Sequence, residues 1–588
     1  MHDGRRATGD GRRATGDGRR ATGDGRRATG DGRSVLFAAR SAVALYRLLD
    51  VLPVFSGDDR ISRRFTLVPG SAFGADALAA LDALGGRTVP WSEALTRTYD
   101  LVVAASPKGD LRLLRGPHVL LPHGAGFNKS IPGEGSADSA SGLDRSYLQR
   151  ADHDAPIALH ALAHPDQVTR LAATNPQAAR QAKVIGDLTL ERVLASSPLR
   201  ERYRAALGTG ARKLLVLNST WGPESLIRRH PGLPAELAAR LPYDEYQLAL
   251  VIHPNERSRL GTHELTERLA PAVDAGLILP DPYEEWASVL IAADALVTDH
   301  GSAALYYCAA AQDRPVVSVH PGGGELIPTS PMGQLLDCVT KLRNTEGIEN
   351  IGDIEGIGEA LRSYRPGPGR TAAQAAFAPP GDAMDRLRTE IYALLALAPP
   401  AHGVTPRLLP APAPAARVPA AFDVQVEAVP TGLRITRHPA GTGPPGHHLA
   451  VEFGAAAEQL TRSAGLLYRR RLLPASGVPV DVAWTADGWT RHALSAYPNC
   501  RSAAALLPDG GCLLRFRGHE QPYAVEVAPR SEDGRVVRLD PAVALSAVHA
   551  RLVSRDPADD ATLNCLVGER SFRVALRPAT DAETEQLI

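Results

Sequence analysis

The reactive and hydrogen-bonding side chains of this sequence gather in five short turns. They are Pro122-His-Gly-Ala-Gly126, Asn218-Ser-Thr-Trp-Gly222, His253-Pro-Asn255, Thr298-Asp-His-Gly-Ser302 and His320-Pro-Gly-Gly-Gly324. An imidazole titrates near neutrality, so His123 can take a proton from an attacking hydroxyl or donate a hydrogen bond to a phosphate. A histidine satisfied within its own turn is the plain alternative. Gly124 and Gly126 allow a sharp turn and close approach to a ligand, and Lys129 adds a positive charge. The hydroxyls of Ser219 and Thr220, with Gly222 ahead of a helix start, would cradle a phosphate or a sugar. In the fourth turn, Asp299 and Ser302 either cap the helix that follows or, with His300 and Gly301, present its N-terminus to an anion. Asp152-His-Asp154 has the Asp-x-Asp form that holds a metal–nucleotide pair elsewhere, but no strand precedes it, so no metal is assigned.

Each of the five turns ends a run of apolar, β-forming residues: His118–Leu121, Lys213–Leu217, Gln247–Ile252, Ala295–Thr298 and Val316–Val319. Helical patterns follow, including Ala303–Ala311, which Arg314-Pro315 stops; another, Glu284–Ala292, follows the short strand Leu277–Leu279. The first half of the chain alternates in the same way. Strand Ser34–Ala39 leads to a helix over 41–52, then strand Phe65–Val68, a helix over 75–84, a short strand Arg87–Val89 and strand Leu101–Ala105. Fully apolar strands separated by helices require parallel sheets covered on both faces and joined by right-handed crossovers. The fold class expected is α/β, with two Rossmann-like doubly wound domains over 34–186 and 187–397. Such sheets bind ligands outside the carboxyl ends of their strands, so the turns share a rim, and a crevice between the two blocks is the simplest reason for their convergence. Residues 130–156, rich in Gly, Ser and Asp and without periodicity, predict a mobile functional loop.

Together, Pro122-His-Gly124, Val184-Ile-Gly-Asp187, Ser219-Thr220, His253-Pro254 and Thr298-Asp-His-Gly-Ser302, with Tyr306 and Arg314-Pro315, resemble the GT-B fold. By motif the chain resembles the CDP-glycerol:poly(glycerophosphate) glycerophosphotransferase family, with nucleotide-sugar 2-epimerases more distant. The likeness spans residues 34 to 345. It implies transfer of a glycerophosphate or glycosyl group from a nucleotide-diphosphate donor, CDP- or UDP-linked, to a hydroxyl acceptor, small or polymeric, in cell-envelope polymer synthesis. Carried onto this chain, His123 is the general base and Asp299 orients its turn or the donor's polyol. Ser219, Thr220, His253, Gly301 and Ser302 hold the diphosphate, and Gly124, Gly126 and His300 complete the binding turns. Neutral donors rather than a metal then stabilise the leaving nucleotide, with no cofactor beyond the donor itself. The donor sits mainly on 187–397, the acceptor enters from 34–186, and closure about Gly186 excludes water. Two other readings stay open: a nucleotide-sugar 2-epimerase or hydrolase on the same fold, and a catalytically silent binding protein whose role lies in its C-terminal domain.

The remaining features bound the setting. With 65 basic and 65 acidic residues in 588, no net field recruits nucleic acid. Cys308, Cys338, Cys500, Cys512 and Cys565 lack CxxC or metal spacing and are odd in number, which fits reduced thiols in a cytoplasmic protein. Nothing reaches the roughly 18 uncharged residues of a membrane span, and Arg40, Arg47 and Asp50 interrupt the one segment that imitates a signal peptide. Peripheral contact with the inner face of a membrane stays open. Residues 1–33 carry Gly4-Arg-Arg-Ala-Thr-Gly-Asp10 in four head-to-tail copies, a flexible basic tail. The Pro/Ala-rich stretch 398–421 reads as a semi-rigid linker. Alternating runs such as Asp423–Glu427 and Tyr523–Val527 make 422–588 a strand-rich accessory α+β domain with antiparallel strands and helices near 454–470 and 541–552. Its place would be to recognise an acceptor polymer or a partner. Arg469-Arg-Arg471 reads as a solvated face.

Overall fold

Parallel pairing follows directly from how apolar the strands are. In the computed structural model, β1 (Arg33–Ala39), β2 (Ile61–Leu67), β3 (Leu101–Ala104), β4 (His118–Leu120), β5 (Ile157–Leu162) and β6 (Ala182–Val184) form one sheet in the order β2-β1-β3-β4-β5-β6. All of its pairings are parallel. The second sheet, β10 (Val316–Ser318), β9 (Ala295–Thr298), β7 (Lys213–Ser219) and β8 (Tyr246–Ile252), is also parallel throughout. The structure describes residues 32–588 except 70–74, 132–142, 144–147, 149–156, 312, 321, 343–353, 415–416, 442, 471–482 and 555–560. The repeat tail through Asp31, Asp152-His-Asp154 and most of the loop expected over 130–156 lie outside the described residues.

Both sheets reverse direction once. Strand order runs outward from β1 to β2 on one side and to β3 on the other, and likewise from β7 to β8 and to β9. Crevices open at such switch points, where neighbouring crossovers leave in opposite directions. Each sheet is covered on both faces by helices, giving two apolar layers per domain.

Several expectations change. Arg87–Val89 pairs only through a single bridge between Thr88 and Phe65, and Leu277–Leu279 only through Ile278 and Ala249. Strand β5 and the helix after it, Pro165–Thr174, were missed, because a histidine in the middle of the run and a polar loop before it obscured the pattern. The span 187–397 is not one body. Helix Ala383–Leu394 returns to the first domain, where Met384, Leu387, Ile391 and Tyr392 join Leu45 and Leu48 in its core. The stretch 398–421 is tied down rather than free: Leu409 is buried, its N–H donates to Ser196 Oγ (2.9 Å), and its carbonyl accepts from the Tyr203 hydroxyl (2.8 Å).

Nine strands between Ala421 and Pro578 close into a barrel, with helix Pro541–Ser554 buried against their inward-facing side chains. It is mixed rather than antiparallel: two short helices, Glu458–Ser463 and Ala486–Ala496, make crossovers that set strand Leu466–Arg469 parallel to both its neighbours. The helix expected over 454–470 is therefore a shorter helix followed by that strand. Arg470 is half-buried and pairs with Asp540 (2.9 Å) and Glu452 (3.0 Å). No helix among the described residues is long and apolar enough to cross a membrane.

Candidate active site

The switch point of the second sheet lies between β7 and β9, so the turns after Ser219 and after Thr298 face each other there. Asp299 joins them. Its buried carboxylate accepts the backbone N–H groups of Thr220 (2.9 Å), Leu226 (2.8 Å) and Gly301 (2.8 Å). Burial raises this carboxyl above its ordinary range, while the three donors oppose the shift. Asp299 therefore sets the shape of the rim and does not line either of the clefts described below. Ser219 is likewise occupied: its hydroxyl donates to the Thr220 carbonyl (3.2 Å) and accepts from Ile227 N–H (3.1 Å). At Gly301 a Cβ would lie 2.9 Å from Asn218 Nδ2, so only glycine lets the backbone pass here.

Two clefts of about 790 and 860 Å3 open along this rim. They share four wall residues: His123, Thr220, His253 and Ser302. The first cleft is lined mainly by the second domain. Its wall includes aromatic rings, with Tyr46 and Tyr283 stacked at 4.8 Å and Trp286 beside Tyr306 at 5.7 Å. It also includes Thr220, Gly301 and Ser302 at the N-terminus of helix Ala303–Ala311, where N–H groups and the helix dipole favour negative charge. The second cleft is lined mainly by the first domain, through residues 120–125, 127–129 and His160, and also by His300 and Trp221 of the second.

The two histidines of the shared wall are neutral at physiological pH. Burial, helped by Lys108 and Arg47, pushes His123 down to about 4. Burial, with Lys129 next in effect, pushes His253 down to about 3. His253 Nδ1 accepts the Asn255 N–H (3.1 Å) and so caps the helix Pro254–Leu260, which leaves the ring proton on Nε2 as a donor. The His123 ring hydrogen-bonds the Ala105 carbonyl, so its second nitrogen keeps a lone pair.

Gly124 belongs to the second cleft and sits against the other domain: a Cβ there would lie 3.1 Å from Ser302 Oγ. Gly126 serves the turn, with φ +83°, and lines neither cleft. Lys129 is not a free charge for a ligand. Its ammonium pairs with Glu325 (2.7 Å) and lies over the Trp221 ring (4.1 Å).

The sequence reading missed the contribution of helix Ala42–Val51. Arg47 lies over the Tyr306 ring (5.0 Å), and Tyr306 donates to Asp187 (2.8 Å), the residue that also caps helix Leu188–Ser196. Arg192 is also in the first cleft but is neutralised by Asp50 and Glu284. A signal was present: Arg47 and Asp50 break an otherwise apolar helical run, and charges in such a run need a polar partner or a cavity.

No family model matches the chain, and no curated protein matches it in sequence. Solved structures similar to it include the wall teichoic acid polymerase TagF, at 12% identity over 62% of this chain and 90% of that one, with a TM-score of 0.43. They also include S. aureus MnaA in a co-structure with UDP (11% identity, 62% and 98% covered, TM-score 0.39). A third is Anabaena HepE in complex with UDP and glucose (15% identity, 62% and 99% covered, TM-score 0.37).

Proposed function

We propose that this chain transfers a glycerophosphate or glycosyl group from a nucleotide-diphosphate donor to a hydroxyl acceptor. The observation that carries the reading is the shared wall: two clefts, one on each domain, meet at a neutral histidine, two hydroxyl side chains and an imidazole donor. A donor in the first cleft would stack its base on the aromatic rings and set its diphosphate at the helix N-terminus, with Arg47 as the nearby cation. An acceptor in the second cleft would reach the transferred group across the wall.

In that arrangement the acceptor oxygen bonds to the transferred phosphorus or anomeric carbon while the bond to the leaving nucleotide's phosphate oxygen breaks. His123 receives the hydroxyl proton. Thr220, Ser302, the His253 Nε2–H and the N–H groups at the helix start receive the charge that develops on the leaving phosphate. An epimerase or hydrolase would need only the first cleft; the second favours transfer. The envelope-polymer setting, CDP or UDP as the donor base, and a site at the inner face of a membrane belong to this proposal, as does a role for the barrel in holding a polymeric acceptor.

Titration calorimetry of the full chain against CDP, UDP, GDP and CDP-glycerol tests it. One nucleotide should bind selectively. Ser302→Ala should weaken it by about tenfold or more, the loss of one hydrogen bond to a charged group. His123→Ala should keep the binding and lose the transfer. Failure of every nucleotide to bind would sink the reading.

A further inference from the structure

Three loops, following β7, β9 and β10, meet behind the wall of the second cleft. They bring together Glu224, His300 and His320, each with one ligand atom within 4.8 Å of the others. The two imidazole rings are 4.7 Å apart. His300 is 3% exposed and His320 9%, and the Nδ1 of each is buried without a hydrogen-bond partner. Two unpartnered nitrogens on neighbouring buried imidazoles are costly unless something binds them.

The surroundings are arranged as a metal ligand set requires. His300 Nε2 lies 3.3 Å from Glu325 Oε2, which leaves Nδ1 as its coordinating nitrogen and supplies the carboxylate partner that fixes and polarises a metal-bound imidazole. The Glu224 carboxylate accepts Gly324 N–H (2.8 Å) and Glu325 N–H (3.2 Å), which hold it in place while lone pairs remain for an ion.

We propose that Glu224, His300 and His320 form a binding site for one divalent transition-metal ion. Two imidazoles and one carboxylate suit Zn2+, Co2+ or Ni2+ better than Mg2+ or Ca2+, which prefer all-oxygen sets. Three protein ligands leave room for a water in a four-coordinate site. The ion would pin the three loops that shape the rim, so this inference does not depend on which group the enzyme transfers. Spacing gave no hint of it in the sequence, because the ligands come from three separate strand ends.

The test is metal binding by the full chain, stripped with chelator, dialysed and titrated with Co2+ and then with Zn2+ in competition. One equivalent of Co2+ should bind, with the visible absorption of a low-coordinate site, and Zn2+ should displace it. His320→Ala and Glu224→Gln should each weaken binding by about tenfold or more. Should His320→Ala fail to fold, Glu224→Gln decides: the residue is only partly buried, the change is isosteric, and circular dichroism verifies the fold. No uptake by the wild-type chain refutes the proposal. One equivalent bound as tightly by folded Glu224→Gln also refutes it, since the ion is then held elsewhere.

Discussion

Asp299→Asn should loosen the whole rim, and its cost can be worked from the contacts. The carboxylate takes Gly301 N–H on Oδ1 and Leu226 N–H on Oδ2, with Thr220 N–H shared between them. Every group around it is a donor, so the carboxylate must stay ionised to satisfy them. An asparagine offers one oxygen and sets its NH2 against either Gly301 or Leu226. That orphans a buried donor at about 1–3 kcal/mol and reduces the other two bonds from charge-assisted to neutral at about 1 kcal/mol each. Relief of the buried charge returns part of this, leaving a net loss of about 2–4 kcal/mol. Urea unfolding followed by fluorescence should show the loss in the second domain, which holds Trp221 and Trp286. Nucleotide affinity should fall with it, because Thr220 and Ser302 are no longer held across from each other. A loss under about 1 kcal/mol with unchanged nucleotide affinity would refute this role for Asp299.

Two further outcomes follow from buried charges. Burial holds His160 and His549 near 4, with His123 and His253 also below the ordinary imidazole value, so between pH 6.5 and 4 the unfolded chain binds more protons than the folded one. Stability should therefore fall as pH drops through that window, by about 1–3 kcal/mol for each deeply buried imidazole, and a urea midpoint that stays flat from pH 7.5 to 4.5 would contradict it. Lys129→Met leaves the buried Glu325 carboxylate without its ammonium, a loss of about 2 kcal/mol given that His300 remains. The double change Lys129→Met with Glu325→Leu should recover at least half of the thermal midpoint lost by the single change, and no recovery would argue against a charge penalty.

The strand-end turns were legible because their signals are local. An apolar run followed by Asn218-Ser-Thr220 or Thr298-Asp-His-Gly-Ser302 shows itself within ten residues. What sequence order hides is which side chains are already occupied. Ser219 reads as a phosphate ligand until its hydroxyl is found bonded to Thr220 and Ile227, and Lys129 reads as a free cation until Glu325 is found beside it. Arg47 was visible only as an interruption, since its meaning depends on Tyr306, far along the chain. The barrel was least legible: alternation reports one buried face but not whether neighbouring strands run parallel, which the short helices between them decide.

The shared wall draws residues from both domains, and the contacts show what holds the two together. The chain crosses between the domains at Gly186 and again near Ala383, and the crossings touch: Gly186 has φ +105°, and a Cβ there would lie 2.8 Å from Ala383 Cβ. Glu191 fastens the same place by accepting the N–H groups of Gly381 and Met384, each at 3.2 Å. Small residues packed this tightly act as a pivot. The domains also meet through buried contacts: Ser130 N–H donates to the Glu325 carbonyl and Ile327 N–H to the Asn128 carbonyl, both 2.8 Å, beside the Lys129–Glu325 pair, and the Ile327 side chain enters the first domain's core. Such contacts act as a latch. His123 lies on the same strand-end turn as the latch, whereas Thr220, His253 and Ser302 belong to the other domain. Any separation of the domains there would carry His123 away from Thr220, His253 and Ser302 and break the shared wall. Under the proposed transfer reaction, base and cradle would then come together only in the closed arrangement, so a donor bound before closure would meet no general base and its hydrolysis should be slow.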